Sequence, residues 1–470
     1  MKTLIKNGLI VNPDASFYGS VLIEDGTITE MGKIENISDC NVIDAEGELV
    51  IPAGVDVHTH MDLDLGNFRA VDDFYSGSIA ALYGGTATIV DHIAFGPKNC
   101  DLRYMIDQYH KLADGRSVCD YSFHGVIQQV NDSIFDEMKE LAKEGITSFK
   151  IYLTYDNRLS DEEILRAMDI AKKLEVTLAV HAENHGIVTY LRQYFGEKGY
   201  KEPIYHALSR PNKSESEAIS RMIALSEITG YPNLYFVHVS TKEGLNEIIN
   251  ARKNGAKNIY CETCTQYLTL DKEKYEMDSN ESVKYIMAPP LRTKEDIEAL
   301  WRGIENKDVD VIATDHCPFM LDQKIVGKED FRLSPGGVGG VEERMELVLT
   351  EGIRRGVSLN NLIEKLCSNP AKIFGIDKKG SINIGNDADI AILKKQRYTI
   401  SKSNRHSKSD YTVYEGFESD FKVDKVLLRG DIVIDNGKTF NELKTGKFIK
   451  RSQKISDKFL SNLYRNVEMR

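Results

Sequence analysis

Eight short runs rich in Val, Ile and Tyr punctuate the middle of this chain, at 55–58, 86–90, 121–127, 147–152, 176–181, 234–239, 257–261 and 311–315, and helix-like stretches separate most of them. Strands that alternate with helices return to the same sheet by crossovers, and crossovers make neighbouring strands parallel. Eight such units within about 320 residues predict an α/β protein built on a TIM (β/α)8 barrel with insertions. Helix signals support the reading. The stretch 161–173 opens with Ser160-Asp161-Glu162-Glu163, a capping box, and 214–228 is a second helix candidate.

A chain of 470 residues exceeds what one core organises, so a second, smaller domain is expected. Both chain ends read as β. Short apolar runs at 3–10, 20–23 and 41–43 alternate with turn signals, and 380–393 and 423–433 have the same pattern. The expected division is a β-sandwich from 1–51 plus 376–445, a catalytic barrel over 52–375, and a tail over 446–470. The basic stretch 444–454 (KTGKFIKRSQK) reads as a solvated arm or a subunit contact.

Lys+Arg 60 against Asp+Glu 72 leaves a net charge of −12, which excludes a polyanionic partner such as nucleic acid. No apolar run is long enough to span a bilayer, and Lys6 and Asn7 cut the first apolar stretch too short for a secretory signal. The seven cysteines are odd in number and widely spaced, which argues against a disulfide framework and for the cytoplasm.

Against this background the metal-competent residues fall in a pattern. VDVHTHMD (55–62) places His58 and His60 on one side of a strand, because residues i and i+2 point the same way. Lys150 closes TSFK in the fourth run and His181 closes LAVH in the fifth. His238 nearly closes YFVHVS in the sixth, and Asp315 closes VIATD in the eighth. The C-terminal ends of barrel strands converge on one mouth, where such enzymes carry their site.

Each residue alone has an ordinary reading: a packed histidine, a snorkelling lysine, a helix-capping aspartate. Together they predict a site for two divalent cations, Zn²⁺ or a similar ion, with ions about 3.5–4 Å apart activating water. A lysine among cations makes sense when CO₂ converts its neutral amine to a bridging carbamate. The remaining histidines (His92, His110, His124, His185, His206, His316 and His406) are assigned to packing, surface or supporting roles, with His124 and His316 the candidates to brace ligands. Cys261 and Cys264 in CETC lack the second pair of a structural zinc site and read as strand-end residues. SPGGVGG (334–340) lacks the Gly-Lys-Ser/Thr of a phosphate loop and reads as a loop that brings backbone close to a ligand.

These motifs resemble the hydantoinase and dihydropyrimidinase branch of the amidohydrolase superfamily across almost the whole chain. The matching stretches are GVDVHTH, GGTATIVDH, GITSFKIYLTY, VHAEN, YHALSRP, FVHVS, ETCTQYL, APPLR, ATDHCPF and GNDADIAIL. DYSFHGVIQ and KIYLTY look most like the D-phenylhydantoinase subgroup. The resemblance implies a zinc-binding barrel plus β-sandwich, assembled as a homotetramer. It places His58, His60 and Asp315 on the more buried metal and His181 and His238 on the more exposed one, with carboxylated Lys150 bridging them. Tyr155 matches the tyrosine that hydrogen-bonds the oxyanion, and Asp315 the residue that shuttles the proton.

The implied activity is hydrolytic opening of 5-substituted hydantoins to N-carbamoyl amino acids. Dihydropyrimidinase activity on dihydrouracil or dihydrothymine is the alternative. Two positions depart from the family: Ala288 stands where Ser precedes Pro-Pro, and Gly336 where Asn follows Pro. Both are expected to meet the ring's amide edge through backbone atoms. The segment 62–74 is expected over the mouth, with Leu63, Leu65 and Phe68 as walls for the exocyclic group. Dihydroorotases typically carry an Arg two residues after HxH. Asp62 occupies that position here and argues against anionic substrates. The same resemblance reaches allantoinases and non-catalytic scaffold relatives, but the scaffolds have lost ligands that this chain keeps.

Overall fold

The computed structural model describes residues 2–34, 37–439, 443 and 446–452. The N-terminal β segment forms five strands: β1 (Lys2–Val11), β2 (Ser16–Glu24), β3 (Thr27–Gly32), β4 (Asn41–Asp44) and β5 (Leu49–Pro52). All eight central runs are strands: β6 (Gly54–Thr59), β7 (Thr86–His92), β8 (Asp120–Val126), β9 (Ser148–Tyr152), β10 (Thr177–His181), β11 (Asn233–Phe236), β12 (Ile259–Cys264) and β13 (Val311–Ala313). They pair in parallel in sequence order. The barrel closes just past the strand ends, where the His60 amide donates to the His316 carbonyl at 2.9 Å and Thr59 bridges His316 in parallel. Near-continuous burial along these strands is what a sheet covered on both faces requires.

The helices between them bear out the local signals. The helix Asp161–Leu174 starts at Ser160, and the Ser160 and Glu163 side chains each accept the other's backbone N–H. Its apolar face, Ile164, Ala167, Met168 and Ala171, is buried against the barrel. Among the described residues no helix is long and apolar enough to cross a membrane.

After the barrel come β14 (Ile390–Lys394), the short pair β15 (Tyr398–Thr399) and β16 (Glu418–Ser419), then β17 (Lys422–Leu428), β18 (Asp431–Asp435) and β19 (Lys438–Thr439). β14 adds antiparallel to β5, so both chain ends share one nine-stranded sheet in the order β19-β18-β17-β14-β5-β1-β2-β3, with β4 beside β1. Most of its pairs are antiparallel, and β1 runs parallel to β4 and β5. The sheet curls over its own core. Ile5, Val21, Ile28, Ile43, Ile390 and Leu427 belong to one apolar cluster. The turn at Gly26 touches the turn at Arg429, so closely that a Cβ on Gly26 would lie 2.7 Å from the Arg429 carbonyl.

The basic tail departs from expectation over residues 446–452. This stretch lies along the barrel rather than standing free, with Arg451 buried while Lys447 and Lys450 stay exposed. The Tyr121 amide donates to the Lys447 carbonyl at 3.0 Å and the Ile449 amide to the Tyr121 carbonyl at 2.7 Å. The Arg451 guanidinium is buried and donates to Ser122 Oγ at 3.0 Å, Ser148 Oγ at 2.6 Å and the Phe123 carbonyl. The backbone edge at Tyr121 and these acceptors on β8 and β9 supply what a solvated arm would have taken from water. Residues 453–470 lie outside the described part of the chain.

Candidate metal centre and substrate cavity

The six predicted ligands line one cavity of about 690 Å³ at the C-terminal mouth of the barrel. His58 sits near the end of β6 and His60 one residue beyond it. The Nε2 atoms of both lie 3.1 Å from Asp315 Oδ1. These three residues are one of the two groups among the described residues whose potential ligand atoms all lie within 4.8 Å of one another; the other is His58, Glu262 and Cys264.

His181 ends β10, and His238 lies two residues past β11. They face each other with His238 Nε2 2.9 Å from His181 Nδ1. The rings of His58 and His238 stack at 5.4 Å, which joins the two halves. Lys150 lies within β9 and not at its end, because the strand runs on to Tyr152. It is buried on the barrel interior. His238, Asp315 and Tyr155 have φ of 40°, 54° and 72°, left-handed values that are costly for residues with a Cβ and that cluster at functional sites.

His58 tests whether these residues suit a cation. Its Nδ1 lies 2.6 Å from Glu262 Oε1, so Nδ1 carries the proton and Nε2 presents a lone pair. That buried Nε2 has no hydrogen-bond partner although Asp315 Oδ1 is 3.1 Å away. A lone pair and a carboxylate oxygen this close require a positive charge beside them. Burial pulls the His58 pKa down, but Glu262 and Asp315 outweigh it and push it up to about 9. A divalent cation meets the same demand without a proton, and the His₂-carboxylate donor set suits one. Burial keeps His60, His181 and His238 below the usual imidazole range, in the neutral form that ligates. Burial also lowers Lys150 to about 8, which leaves a fraction of neutral amine near physiological pH.

Glu262 is the residue that sequence reasoning missed. It lies between the two cysteines of CETC, which drew attention to sulfur. It is fully buried, orients His58, accepts the His238 amide at 2.9 Å and accepts the Tyr235 hydroxyl at 2.8 Å. Both cysteines are buried free thiols of β12; Cys264 ends the strand, as read from sequence, and Cys261 lies within it. His92 takes one of the packing, surface or supporting roles expected of it. It is buried between His58 and His124, with ring centroids 4.4 Å and 4.0 Å away.

His124 braces the barrel interior, with contacts to Ser148 Oγ at 2.6 Å and the Val57 carbonyl at 3.0 Å. His316 accepts the Gly340 and Val341 amides on Nδ1 and reaches Asp72 through Nε2 at 3.1 Å. It thereby ties SPGGVGG to the barrel rim.

Of the predicted wall residues, Leu63, Leu65, Tyr155, Ala288 and Gly336 line the cavity. Phe68 does not. It packs, partly buried, against Ala70, Cys317 and Phe319, a small apolar cluster beside the mouth. Asp62 is also absent from the wall. It is buried, bound by Arg69 Nη2 at 3.0 Å and by the Phe74 amide at 3.1 Å. The electrostatic argument against anionic substrates that rested on Asp62 therefore falls. His185 and His206, assigned to packing, surface or supporting roles, line the cavity.

Gly336 abuts Ala288. A Cβ on Gly336 would rest 3.8 Å from the Ala288 nitrogen, an ordinary contact, so the site has room for a side chain there. Gly337 is different, since a Cβ would meet the Cys317 carbonyl at 2.5 Å. The buried Lys324 ammonium fixes this region. It donates to the carbonyls of Ile286, Pro335 and Gly337 at 2.5, 2.8 and 2.9 Å. One side chain thus clamps the two backbone segments that carry Ala288 and Gly336; burial pulls its pKa down to about 7, while three carbonyl acceptors match the three donors of its protonated form.

A barrel of parallel strands with His, Asp and Lys gathered at its mouth defines a class, and the chain belongs to the Amidohydrolase family, whose profile matches residues 49–433. Within that class it is similar to the D-phenylhydantoinase of Escherichia coli O1:K1, at 41% identity over 456 residues, 96% of this chain and 98% of that one. The dihydropyrimidinase from Brevibacillus agri superposes with a TM-score of 0.94 at 37% identity, covering 96% of this chain and 99% of its own. The D-hydantoinase from Thermus sp. gives 0.93 at 35% identity, covering 97% and 100%.

Proposed function

We propose that this protein hydrolyses cyclic diamides, opening 5-substituted hydantoins to N-carbamoyl amino acids. The observation that carries the reading is the convergence of His58, His60, Lys150, His181, His238 and Asp315 on one cavity that also holds Tyr155. His58, His60 and Asp315 would hold one divalent ion, Zn²⁺ by the chemistry of the donors, and His181 and His238 a second. Lys150, carboxylated on Nζ, would serve both. When bound, such a pair of ions lowers the pKa of water towards 7 and polarises a carbonyl.

The protein's own groups supply the rest. Water adds to the ring carbonyl carbon, the carbon–nitrogen bond breaks, and the nitrogen leaves with a proton. Asp315 takes the proton from the attacking water and returns it to that nitrogen. Burial raises the Tyr155 pKa, so its phenol stays protonated and donates to the oxygen that gains charge. Backbone atoms at Ala288 and Gly336, held by Lys324, meet the amide edge of the ring.

Dihydropyrimidine hydrolysis uses the same chemistry and is supported by the likeness to the Brevibacillus enzyme. A homotetramer and a cytoplasmic location belong to this reading; seven free cysteines support the latter, and light scattering tests the former. The activity is tested by assaying zinc-loaded protein on phenylhydantoin, dihydrouracil, dihydroorotate and allantoin. Turnover of the first or second is expected. Activity confined to the last two overturns the reading.

A further inference from the structure

Arg192 lines the cavity from the helix His185–Glu197 and has no acid partner among the described residues. Two contacts hold its guanidinium. Nη2 donates to the Arg332 carbonyl at 3.2 Å, and the group lies over the Phe331 ring at 5.5 Å. Its other N–H donors meet no protein acceptor among those residues. Asp330, whose charge reaches Arg192, is taken by Arg332 through Nε at 2.8 Å and through Nη2.

Arg210, the other arginine on the wall, is different. Glu183 neutralises it, and it lies over the Tyr155 ring at 5.7 Å. The only acid of the outer wall among the described residues, Asp64, is exposed, and its carboxylate accepts the Gly66 amide at 2.7 Å. Burial and the neighbouring Arg210 lower the Arg192 pKa only to about 10, so the group is charged at neutral pH. A partly desolvated guanidinium without a counter-ion is costly unless an anion arrives to pair with it.

We propose that Arg192 receives a carboxylate on the substrate's exocyclic arm, so that the favoured substrates are cyclic diamides of acidic amino acids. The inference rests on the ring-opening reading for its chemistry but on Arg192 alone for its specificity. The burial of Asp62 removes the repulsion that would have opposed it.

The test pairs 5-(2-carboxyethyl)hydantoin with its uncharged isostere, 5-(2-carbamoylethyl)hydantoin, on the metal-loaded full chain. The quantity read is the ratio of the two kcat/KM values, acid over amide. It is expected at ~10–100 in the wild type, the range of a charge-assisted hydrogen bond, and near ~1 in Arg192→Gln, with partial return in Arg192→Lys. A ratio near one in the wild type, or an unchanged ratio in Arg192→Gln, overturns the proposal. Calorimetric binding of the same pair separates the two readings. If neither compound is hydrolysed, and phenylhydantoin and dihydrouracil are not hydrolysed either, the ring-opening reading falls, yet acid binding that is tighter than amide binding only with Arg192 still upholds this inference; equal binding sinks it.

Discussion

Glu262 Oε1 lies 2.6 Å from His58 Nδ1, and the same oxygen accepts the backbone amide of His238. One buried carboxylate thus sets the tautomer of a candidate ligand on β6 and the backbone position of another past β11. Replacing Glu262 with Gln keeps the shape but removes the charge that favours the Nδ1–H tautomer. Metal affinity is expected to fall ~10–100-fold, the usual cost of losing such an outer partner. Chelator competition on the purified variant measures it, and an unchanged affinity would show that His58 needs no such support.

Lys150 is the prediction with the sharpest stoichiometry. If its carboxylated form holds both ions, Lys150→Ala binds fewer than two metals per chain by elemental analysis. Its kcat/KM falls on the order of 10³-fold or more, since nucleophile activation is lost. Two retained metals would contradict the bridging role whatever the activity.

Lys324→Met removes a buried ammonium and leaves the carbonyls of Ile286, Pro335 and Gly337 without their donor. Each unsatisfied acceptor costs about 1–3 kcal/mol, so a clear drop in Tm is expected. Because those carbonyls flank Ala288 and Gly336, KM is expected to rise ~10-fold or more while metal content holds. A lower Tm with unchanged KM would confine Lys324 to a structural role.

Asp72 predicts a pH dependence. Burial alone would raise its pKa, but hydrogen bonds from His316, the Lys408 amide and Ser407 hold it at about 2. A carboxyl depressed from an unfolded value near ~3.9 stabilises the fold above that pH, and the stability is lost as pH falls from about 4 through 2. The contribution is about 2–3 kcal/mol at neutral pH. Urea midpoints of wild type and Asp72→Asn should therefore converge as pH drops through this window. A gap that stays constant down to pH ~2 would assign the effect to packing.

The barrel was legible because its signals are local. Eight β-branched runs, their spacing and a capping box at Ser160 are properties of neighbouring residues, and β6 to β13 appear where those runs fall. The ligand candidates were legible for a related reason: strand polarity sends every C-terminal end to one mouth, so position along a run predicts position in space.

What the sequence determined by itself was this architecture and the set of side chains able to reach its mouth. The tertiary structure alone decided which groups serve them. Glu262 binds His58 across 204 residues, Lys324 gathers carbonyls from two separate loops, Asp62 turns to Arg69, Phe68 leaves the cavity, and Arg192 enters it with no acid partner among the described residues. Periodicity reports which face a residue takes. Who meets whom across that face depends on long-range packing, to which adjacent residues carry no clue.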